Sequence, residues 1–318
     1  MNTIGGYIFV ALILFVIEIT YFSIADKCRI VDIPHHQSSH KGVVIRGGGV
    51  IFYFAFLLWS LINGIPSIGG ILGLTVLAMV SFWDDINDVN PHIRLVCQFV
   101  AILLLFYHSG LIQTPIHAMA FLSIACVGTL NIFNFMDGIN GMTGGYSLVV
   151  ALALLYVNIE VFHFIDTSLI IYVVMAILIF DFYNFRKQAK CFAGDVGSLS
   201  IGFILVFLVL RLALRAESMG WIVLFSVYIV DGGMTILHRI SLHENLMKPH
   251  KKHAYQIMAN ELKMPHLMVS GIYMGIQAVC CAVYIILPGY STFFVILGAL
   301  IVLYLVFMKK YYHLHVKK

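Results

Sequence analysis

Charge is scarce in this chain of 318 residues, because only 11% of them are Asp, Glu, Lys or Arg, whereas 61% are hydrophobic. A soluble globular domain carries roughly 25% charged residues, so the composition excludes an ordinary soluble protein. The six cysteines lack C-x-x-C spacing and lie mostly in apolar runs, which argues against a zinc site and a disulfide framework. The first apolar run has neither a basic start nor a small-residue cleavage site, so we expect a retained membrane span.

The chain is instead rich in long apolar runs. Eleven of them approach the roughly 20 residues that cross a bilayer. They fall at about 4–25, 47–63, 67–83, 93–109, 116–133, 145–163, 167–183, 197–214, 220–238, 266–287 and 291–308. The sequence therefore predicts an all-α, polytopic integral membrane protein with about eleven transmembrane helices, in one domain that covers residues 1–318.

The basic residues predict the orientation of these helices. If the N-terminus lies outside, all of the 19 Lys and Arg residues except Arg211 and Arg215 fall in cytoplasmic segments. Cytoplasmic loops carry an excess of Lys and Arg, so we expect the N-terminus outside and the C-terminus in the cytoplasm. Basic loops that face anionic headgroups also account for the net charge of +4, and no nucleic acid is needed to explain it.

Most carboxylates fall in the same cytoplasmic segments, at about 26–46, 83–92, 134–144, 184–196 and 239–265. Ionisable groups at membrane depth are costly and usually line a functional cavity, so we expect one shared site on the cytoplasmic face. An ion-coupled transporter is the alternative class. It would place acids near the bilayer midplane, often in paired repeats, and only Asp181 and Asp231 come near that position.

The segment "FWDDIND" places Asp84 and Asp85 side by side at the end of a span. A solvated helix end explains one acid, but two adjacent carboxylates repel unless a cation or water screens them. Hard oxygen ligands of this kind suit Mg²⁺, which also bridges substrate phosphates. The pair therefore predicts a divalent-metal or diphosphate site.

Spaced amides precede a glycine-rich turn in "NIFNFMDGING". Asn131, Asn134 and Asp137 are three residues apart and share one face of a helical end, and Asn140 continues the spacing beyond Gly138, where we expect the helix to have broken. An ordinary interhelical loop would explain the glycines but not the amides. The pattern favours a ligand site.

Three further segments carry weaker signals. In "FAGDVGSLSIG", Asp195 fits an N-cap and a ligand equally well, and the following helix start would favour a phosphate. "SSHKGVVIRGGGV" suits either anion capture or a basic juxtamembrane loop. In "HENLMKPHKKHAYQ", His250 and His253 fit either solvated residues or a pair of metal ligands, although no thiolate or third histidine supports zinc.

The order of these five segments, from about Ser38 to Gln256, resembles the polyprenyl-phosphate N-acetylhexosamine-1-phosphate transferase family, glycosyltransferase family 4. The resemblance implies catalytic roles for Asp84, Asp85, Asp137 and His253, and a metal site at Asp195 and Asp85. We expect substrate binding by Lys41, Arg46, Arg94, Asn131, Asn134, Asn140, Phe192, Arg239, His250 and Tyr255, with Phe192 beneath the uracil ring.

The chain departs from the family pattern at two places. Asn140 replaces the second aspartate of the N-x-x-N-x-x-D-G-x-D-G motif, and His253, Ala254, Tyr255 and Gln256 stand where many relatives have a run of histidines. The second departure resembles the branch that acts on modified N-acetyl sugars in O-antigen or capsule assembly.

The resemblance also implies a reaction. A UDP-N-acetylhexosamine would give its sugar 1-phosphate to undecaprenyl phosphate at the cytoplasmic face of a bacterial plasma membrane, with release of UMP. Mg²⁺, for which Mn²⁺ can substitute, would be the cofactor. Homologous membrane enzymes can form homodimers, although no stripe of small residues in this chain demands it. The phospho-MurNAc-pentapeptide transferase of peptidoglycan synthesis is the alternative within the family.

Overall fold

The computed structural model describes residues 3–32, 42–245 and 250–312. Almost all regular structure in these ranges is helical, and one antiparallel ribbon joins β1 (Val31–Asp32) to β2 (Val44–Ile45). The helices are α1 (Ile4–Lys27), α2 (Val50–Ile62), α3 (Ile68–Ile86), α4 (Pro91–His108), α5 (Ile116–Met136), α6 (Met142–Glu160), α7 (Thr167–Asn184), α8 (Gly194–Arg215), α9 (Ser226–Ser241), α10 (Ala254–Gln256), α11 (His266–Ile286) and α12 (Tyr290–Lys309).

Each apolar run predicted from the sequence forms a helix, which confirms the polytopic all-α class. Ten helices of the described chain are long and apolar enough to cross a membrane, and α9 reaches this length together with a preceding 3₁₀ segment, Met219–Phe225. The exception is α2, with 13 residues. At about 1.5 Å per residue it spans roughly 20 Å, less than the roughly 30 Å of hydrocarbon. It starts late because Gly47 adopts a left-handed φ of 80° and turns the chain first.

Helix α8 forms the centre of the bundle. Its most apolar 18-residue window is 94% buried, whereas the corresponding windows of α1 and α12 are 22% buried. The start of α2 packs directly on α8, since a Cβ atom on Gly49 would lie 2.3 Å from the Cα of Gly197. Outer helices with exposed apolar side chains around a buried helix are what a lipid environment requires.

The loops before α2 and α8 run side by side at one end of the bundle. The N–H of Gly48 donates to the carbonyl of Phe192 at 2.9 Å, and the N–H of Phe192 donates to the carbonyl of Ile45 at 2.8 Å. This pairing brings Arg46 next to the first turn of α8. It joins segments that are more than 140 residues apart in the sequence.

Candidate active site

Two adjacent acids end α3, and each faces a different arginine. Asp84 accepts hydrogen bonds from the N–H of Val89 at 2.8 Å and from Nη1 of Arg94 at 2.6 Å. Asp85 accepts from Nε of Arg46 at 2.7 Å. The repulsion expected between the neighbouring carboxylates is therefore offset by two guanidinium groups.

Asp85 also occupies the N-terminus of α8. Its two oxygens accept the backbone N–H groups of Asp195 and Val196, both at 2.9 Å. A left-handed φ of 71° at Gly194 allows this approach, since a Cβ there would lie 2.6 Å from Oδ2 of Asp85. The sequence interpretation of Asp195 as an N-cap is wrong, because Ala193 holds the cap position and Asp195 lies in the first turn. The free amides that we expected to favour a phosphate are bound by the Asp85 carboxylate.

Asp195 completes an acidic cluster with Asp84 and Asp85. Its carboxylate lies 3.0 Å from Nη2 of Arg94 and 4.0 Å from Nη2 of Arg46. Three carboxylates against two guanidinium groups leave one unbalanced negative charge. Ion pairs with Arg46 and Arg94 hold the cluster together. No three His, Cys, Asp or Glu side chains of the described ranges converge in the geometry of a metal site.

The amide-rich end of α5 leads into the same region. The helix ends at Met136, and Asp137 is its C-cap. Asn140 therefore lies beyond the helix, as the sequence predicts. The hydroxyl of Thr143 donates to the Asp137 carboxylate at 2.6 Å. Burial raises the pKa of Asp137 to about 7, and the neighbouring charges of Asp195 and Asp85 add to the effect. Asp137 therefore titrates near neutral pH.

The three asparagines of this motif are held in different ways. The Asn131 amide exchanges hydrogen bonds with Gln98 at 2.6 and 3.3 Å, and Nδ2 of Asn134 donates to the hydroxyl of Ser198 at 3.1 Å. Nδ2 of Asn140 donates to the carbonyl of Arg186 at 2.8 Å. Asn140 thus ties the turn after α5 to the loop after α7.

The histidine-rich segment contributes two further side chains to the site, His250 and His253. Nδ1 of the buried His253 lies 3.4 Å from Oδ1 of Asp231. The His250 ring lies 4.9 Å from that of His253, between centroids. Burial, together with the charges of His253, Arg239 and Lys252, lowers the pKa of His250 to about 3. His250 is therefore neutral at physiological pH.

Two predicted substrate-binding residues, Arg239 and Tyr255, are placed apart from the others. Nε of Arg239 lies 3.1 Å from the Glu244 carboxylate, and the hydroxyl of Tyr255 donates to the carbonyl of Phe135 at 2.8 Å. Neither Arg239 nor Tyr255 lines the two cavities described next, so both support the surrounding loops. Lys41 lies outside the described residues.

Two cavities meet at the acidic cluster. The smaller has a volume of about 380 Å³ and the larger about 600 Å³. Both are lined by Arg46, Asn134, Asp195 and Gln256, which form a wall that the two cavities share. The smaller cavity is further lined by Asp32, Asp137, Gly138, Ile139, Asn140, Asn184, Phe192, Gly194, Lys251, Asn260 and His266. The larger is further lined by Asp84, Asp88, Val89, Pro91, Arg94, Leu95, Gln98, Asn131, Phe135, His250 and His253.

Several lining residues were not identified from the sequence, among them Asn184 and His266. Asn184 is the last residue of α7, and its side chain accepts from the N–H of Gly141 at 2.7 Å and donates to the carbonyl of Cys191 at 2.8 Å. A polar residue at the cytoplasmic end of a predicted span was a usable signal. His266 starts α11 immediately after a proline, and no local pattern distinguishes it.

The fold and this site define a multi-pass membrane protein with an acidic, arginine-bridged cleft at one end of the bundle. Residues 67–213 match the model of glycosyl transferase family 4. This segment runs from the start of α3 through most of α8 and contains Asp84, Asp85, Asp137 and Asp195. Over these residues, the match supports the family recognised from the sequence motifs.

Individual relatives match the chain over longer segments than the family model does. The chain is 25% identical over 254 residues to a probable undecaprenyl-phosphate N-acetylglucosaminyl 1-phosphate transferase of Bacillus subtilis, covering 73% of this chain and 70% of that protein. It is 29% identical over 242 residues to the phospho-N-acetylmuramoyl-pentapeptide-transferase of Streptococcus thermophilus, covering 65% and 68%. It is 26% identical over 232 residues to an undecaprenyl-phosphate alpha-N-acetylglucosaminyl 1-phosphate transferase of Escherichia coli O157:H7, covering 66% and 61%.

Proposed function

We propose that this protein transfers a UDP-activated N-acetylhexosamine 1-phosphate to undecaprenyl phosphate. The products are UMP and a polyprenyl-diphosphate sugar, on which a cell-envelope glycan such as O-antigen or capsule is built. The observation that supports this most is the wall of Arg46, Asn134, Asp195 and Gln256 shared by two cavities. A soluble nucleotide and a membrane lipid can occupy separate cavities while their phosphates meet at such a wall.

The smaller cavity suits the UDP-sugar. Its volume of about 380 Å³ lies within the range of small-molecule sites. Phe192 offers an aromatic face for the uracil, and the amides of Asn140 and Asn184 lie nearby on the same lining. Arg46 and Lys251 supply positive charge for the diphosphate.

The larger cavity suits the lipid phosphate. Arg94 and His253 lie on its polar lining, and Leu95 and Phe135 contribute exposed apolar surface. It is bordered by α4 and α5, whose most apolar windows are only 28% and 33% buried and are therefore available to lipid. A polyprenyl chain can lie along these helices while its phosphate is held by Arg94.

We propose Mg²⁺, with Mn²⁺ as a substitute, at the acidic cluster. Mg²⁺ is commonly held by one or two carboxylates together with substrate phosphates, so it does not require three protein ligands. The oxygen donors of the cluster are hard ligands, and its unbalanced negative charge calls for a cation. The side chain of Asp195 is 18% exposed, whereas that of Asp85 is fully buried with both oxygens already bonded. The geometry therefore favours Asp195 as the direct ligand and Asp85 as the residue that holds α8 and Arg46. Bound Mg²⁺ would neutralise charge on the diphosphate and on the leaving UMP.

In the reaction, an oxygen of the lipid phosphate attacks the sugar-linked phosphorus, and the bond to the UMP oxygen breaks. A phosphate monoester is largely ionised at neutral pH, since its second pKa is about 6, so no strong base is required. Arg46, on the shared wall, offsets charge on the transferring group, and Arg94 holds the nucleophile. Asp84 fixes Arg94 through their 2.6 Å contact.

Purified protein, undecaprenyl phosphate and a panel of radiolabelled UDP-N-acetyl sugars test this proposal. We expect label in the lipid extract and stoichiometric UMP, both lost in Asp195→Asn. Label from UDP-MurNAc-pentapeptide alone would indicate the peptidoglycan enzyme instead. If no sugar nucleotide yields labelled lipid or UMP, the proposed function is wrong. The homodimer and the cytoplasmic orientation of the site are proposals as well, tested by the mass of the purified protein and by reporter fusions.

A further inference from the structure

Asp231 is a buried acid of α9 to which the proposed reaction assigns no role. It was one of two acids that the sequence placed near the membrane interior, where a transporter would use it. Its surroundings indicate a different role, because its carboxylate is the common acceptor for four neighbouring groups in addition to His253. These donors are Ala254 N at 3.0 Å, Tyr255 N at 3.4 Å, Tyr273 Oη at 2.6 Å and Thr235 Oγ1 at 3.3 Å.

These bonds attach the histidine-rich segment to the bundle. Helix α10 has three residues and continues directly into a π-helical turn, Ile257–Glu261, and a helical segment of this length is not stable alone. The Asp231 carboxylate binds the amides of its first two residues, Ala254 and Tyr255, and thereby fixes their backbone on α9. Tyr273 attaches the same carboxylate to α11. The segment that carries His253 to the larger cavity is therefore held at Asp231.

The His253 ring is oriented by the same carboxylate. Nδ1 is the ring atom that faces Asp231, at an ion-pair distance of 3.4 Å from Oδ1. Neither ring nitrogen has a hydrogen-bond partner within the described chain, which leaves Nε2, on the other side of the ring, without a protein partner. His253 lines the larger cavity, where the lipid phosphate is proposed to bind. An acid that fixes one ring nitrogen leaves the other free for a ligand.

We infer that Asp231 is a positioning residue for transfer. It holds His253 with Nδ1 toward itself and Nε2 toward the phosphates, and its main effect on the reaction is exerted through this histidine. The inference rests on the proposed function for its kinetic consequences. Its structural part, the attachment of the 253–255 backbone, does not depend on which reaction is catalysed.

The first experiment is a double-mutant cycle of Asp231→Asn and His253→Ala in the transfer assay. We expect each single change to lower kcat about 10²-fold, with a smaller change in the KM for the UDP-sugar, since most residues that line the smaller cavity lie outside the histidine-rich segment. The double variant should be no slower than His253→Ala, because residues that act as a unit are not additive. Tyr273→Phe is the matched control, because it removes one neutral donor from the same carboxylate. It should lower kcat no more than a few-fold.

An activity-independent measurement accompanies the cycle. Hydrogen exchange in the peptide containing Ala254 and Tyr255 should increase in Asp231→Asn and stay slow in His253→Ala. The inference would be overturned if the losses of kcat in the two single variants multiply in the double variant, or if hydrogen exchange is unchanged in Asp231→Asn. If the wild-type protein shows no transfer activity, the proposed function is wrong. The hydrogen-exchange result would still decide whether Asp231 holds the segment.

Two substitutions at His253 test the ring orientation without altering Asp231, and they decide the matter if Asp231→Asn does not fold. The amide of His253→Asn mimics Nδ1, and the amide of His253→Gln mimics Nε2. We expect Gln to retain at least tenfold more activity than Asn, because only Gln reaches toward the phosphates. Equal activity of the two variants, or a more active Asn variant, would overturn the proposed orientation.

Discussion

Replacement of Asp85 by Asn should destabilise the protein and abolish its activity, whereas the same change at Asp195 should affect activity alone. The Asp85 carboxylate is fully buried and accepts the N–H groups of Asp195 and Val196 and the guanidinium of Arg46. An asparagine has one oxygen, so its NH₂ group would face a backbone N–H and leave a buried donor unmatched.

The magnitude follows from these contacts. An unmatched buried donor costs about 1–3 kcal/mol. The ion pair with Arg46 adds up to about 1 kcal/mol, because the arginine side chain is 39% exposed. We therefore expect Asp85→Asn to lose about 3 kcal/mol. The corresponding decrease in melting temperature is roughly 5–10 °C.

Asp195→Asn is the matched control for this prediction. Its carboxylate makes partly exposed ion pairs with Arg94 and Arg46, which contribute about 0–1 kcal/mol. Thermal unfolding in detergent should therefore separate the two variants, whereas UMP release should fall about 10²-fold or more in both. An Asp85→Asn protein that melts within 1 °C of wild type would refute the role of Asp85 at the start of α8, by the same conversion.

Four further outcomes are expected. Transfer should stop in EDTA and return with Mg²⁺ or Mn²⁺, and excess metal should partly rescue Asp195→Asn; full activity in EDTA would contradict the metal site. Because burial raises the pKa of Asp137 to about 7, activity that needs its carboxylate should fall below about that pH; Thr143→Val removes a donor to the ionised form, so a pH–rate profile should show this fall at higher pH. Gly49→Ala, whose Cβ would lie 2.3 Å from the Cα of Gly197, should lower the melting temperature measurably, unlike alanine at the open Gly275. A reporter fused to the C-terminus should be active only as a cytoplasmic reporter, and a periplasmic signal would reverse the proposed orientation.

The sequence by itself determined the helices and the positions of their polar ends. Membrane helices form wherever about 20 apolar residues follow one another, a local property that hydropathy reports directly. The bounds predicted for the run at 116–133 and those of α5 at Ile116–Met136 differ by only three residues. Asp84, Asp85, Asp137 and Asp195 were placed at one face on the same grounds.

Tertiary structure alone decided which groups these side chains meet. The Asp85 carboxylate binds amides 110 and 111 positions away along the chain, and no local pattern distinguishes that arrangement from an Asp195 N-cap. Asp231 was visible as an acid inside a span, but its link to His253 depends on how the segment before α11 folds back on α9. Contacts between distant segments determine which charges are buried and which are paired. The acids could therefore be identified from the sequence, but their partners depend on the tertiary packing.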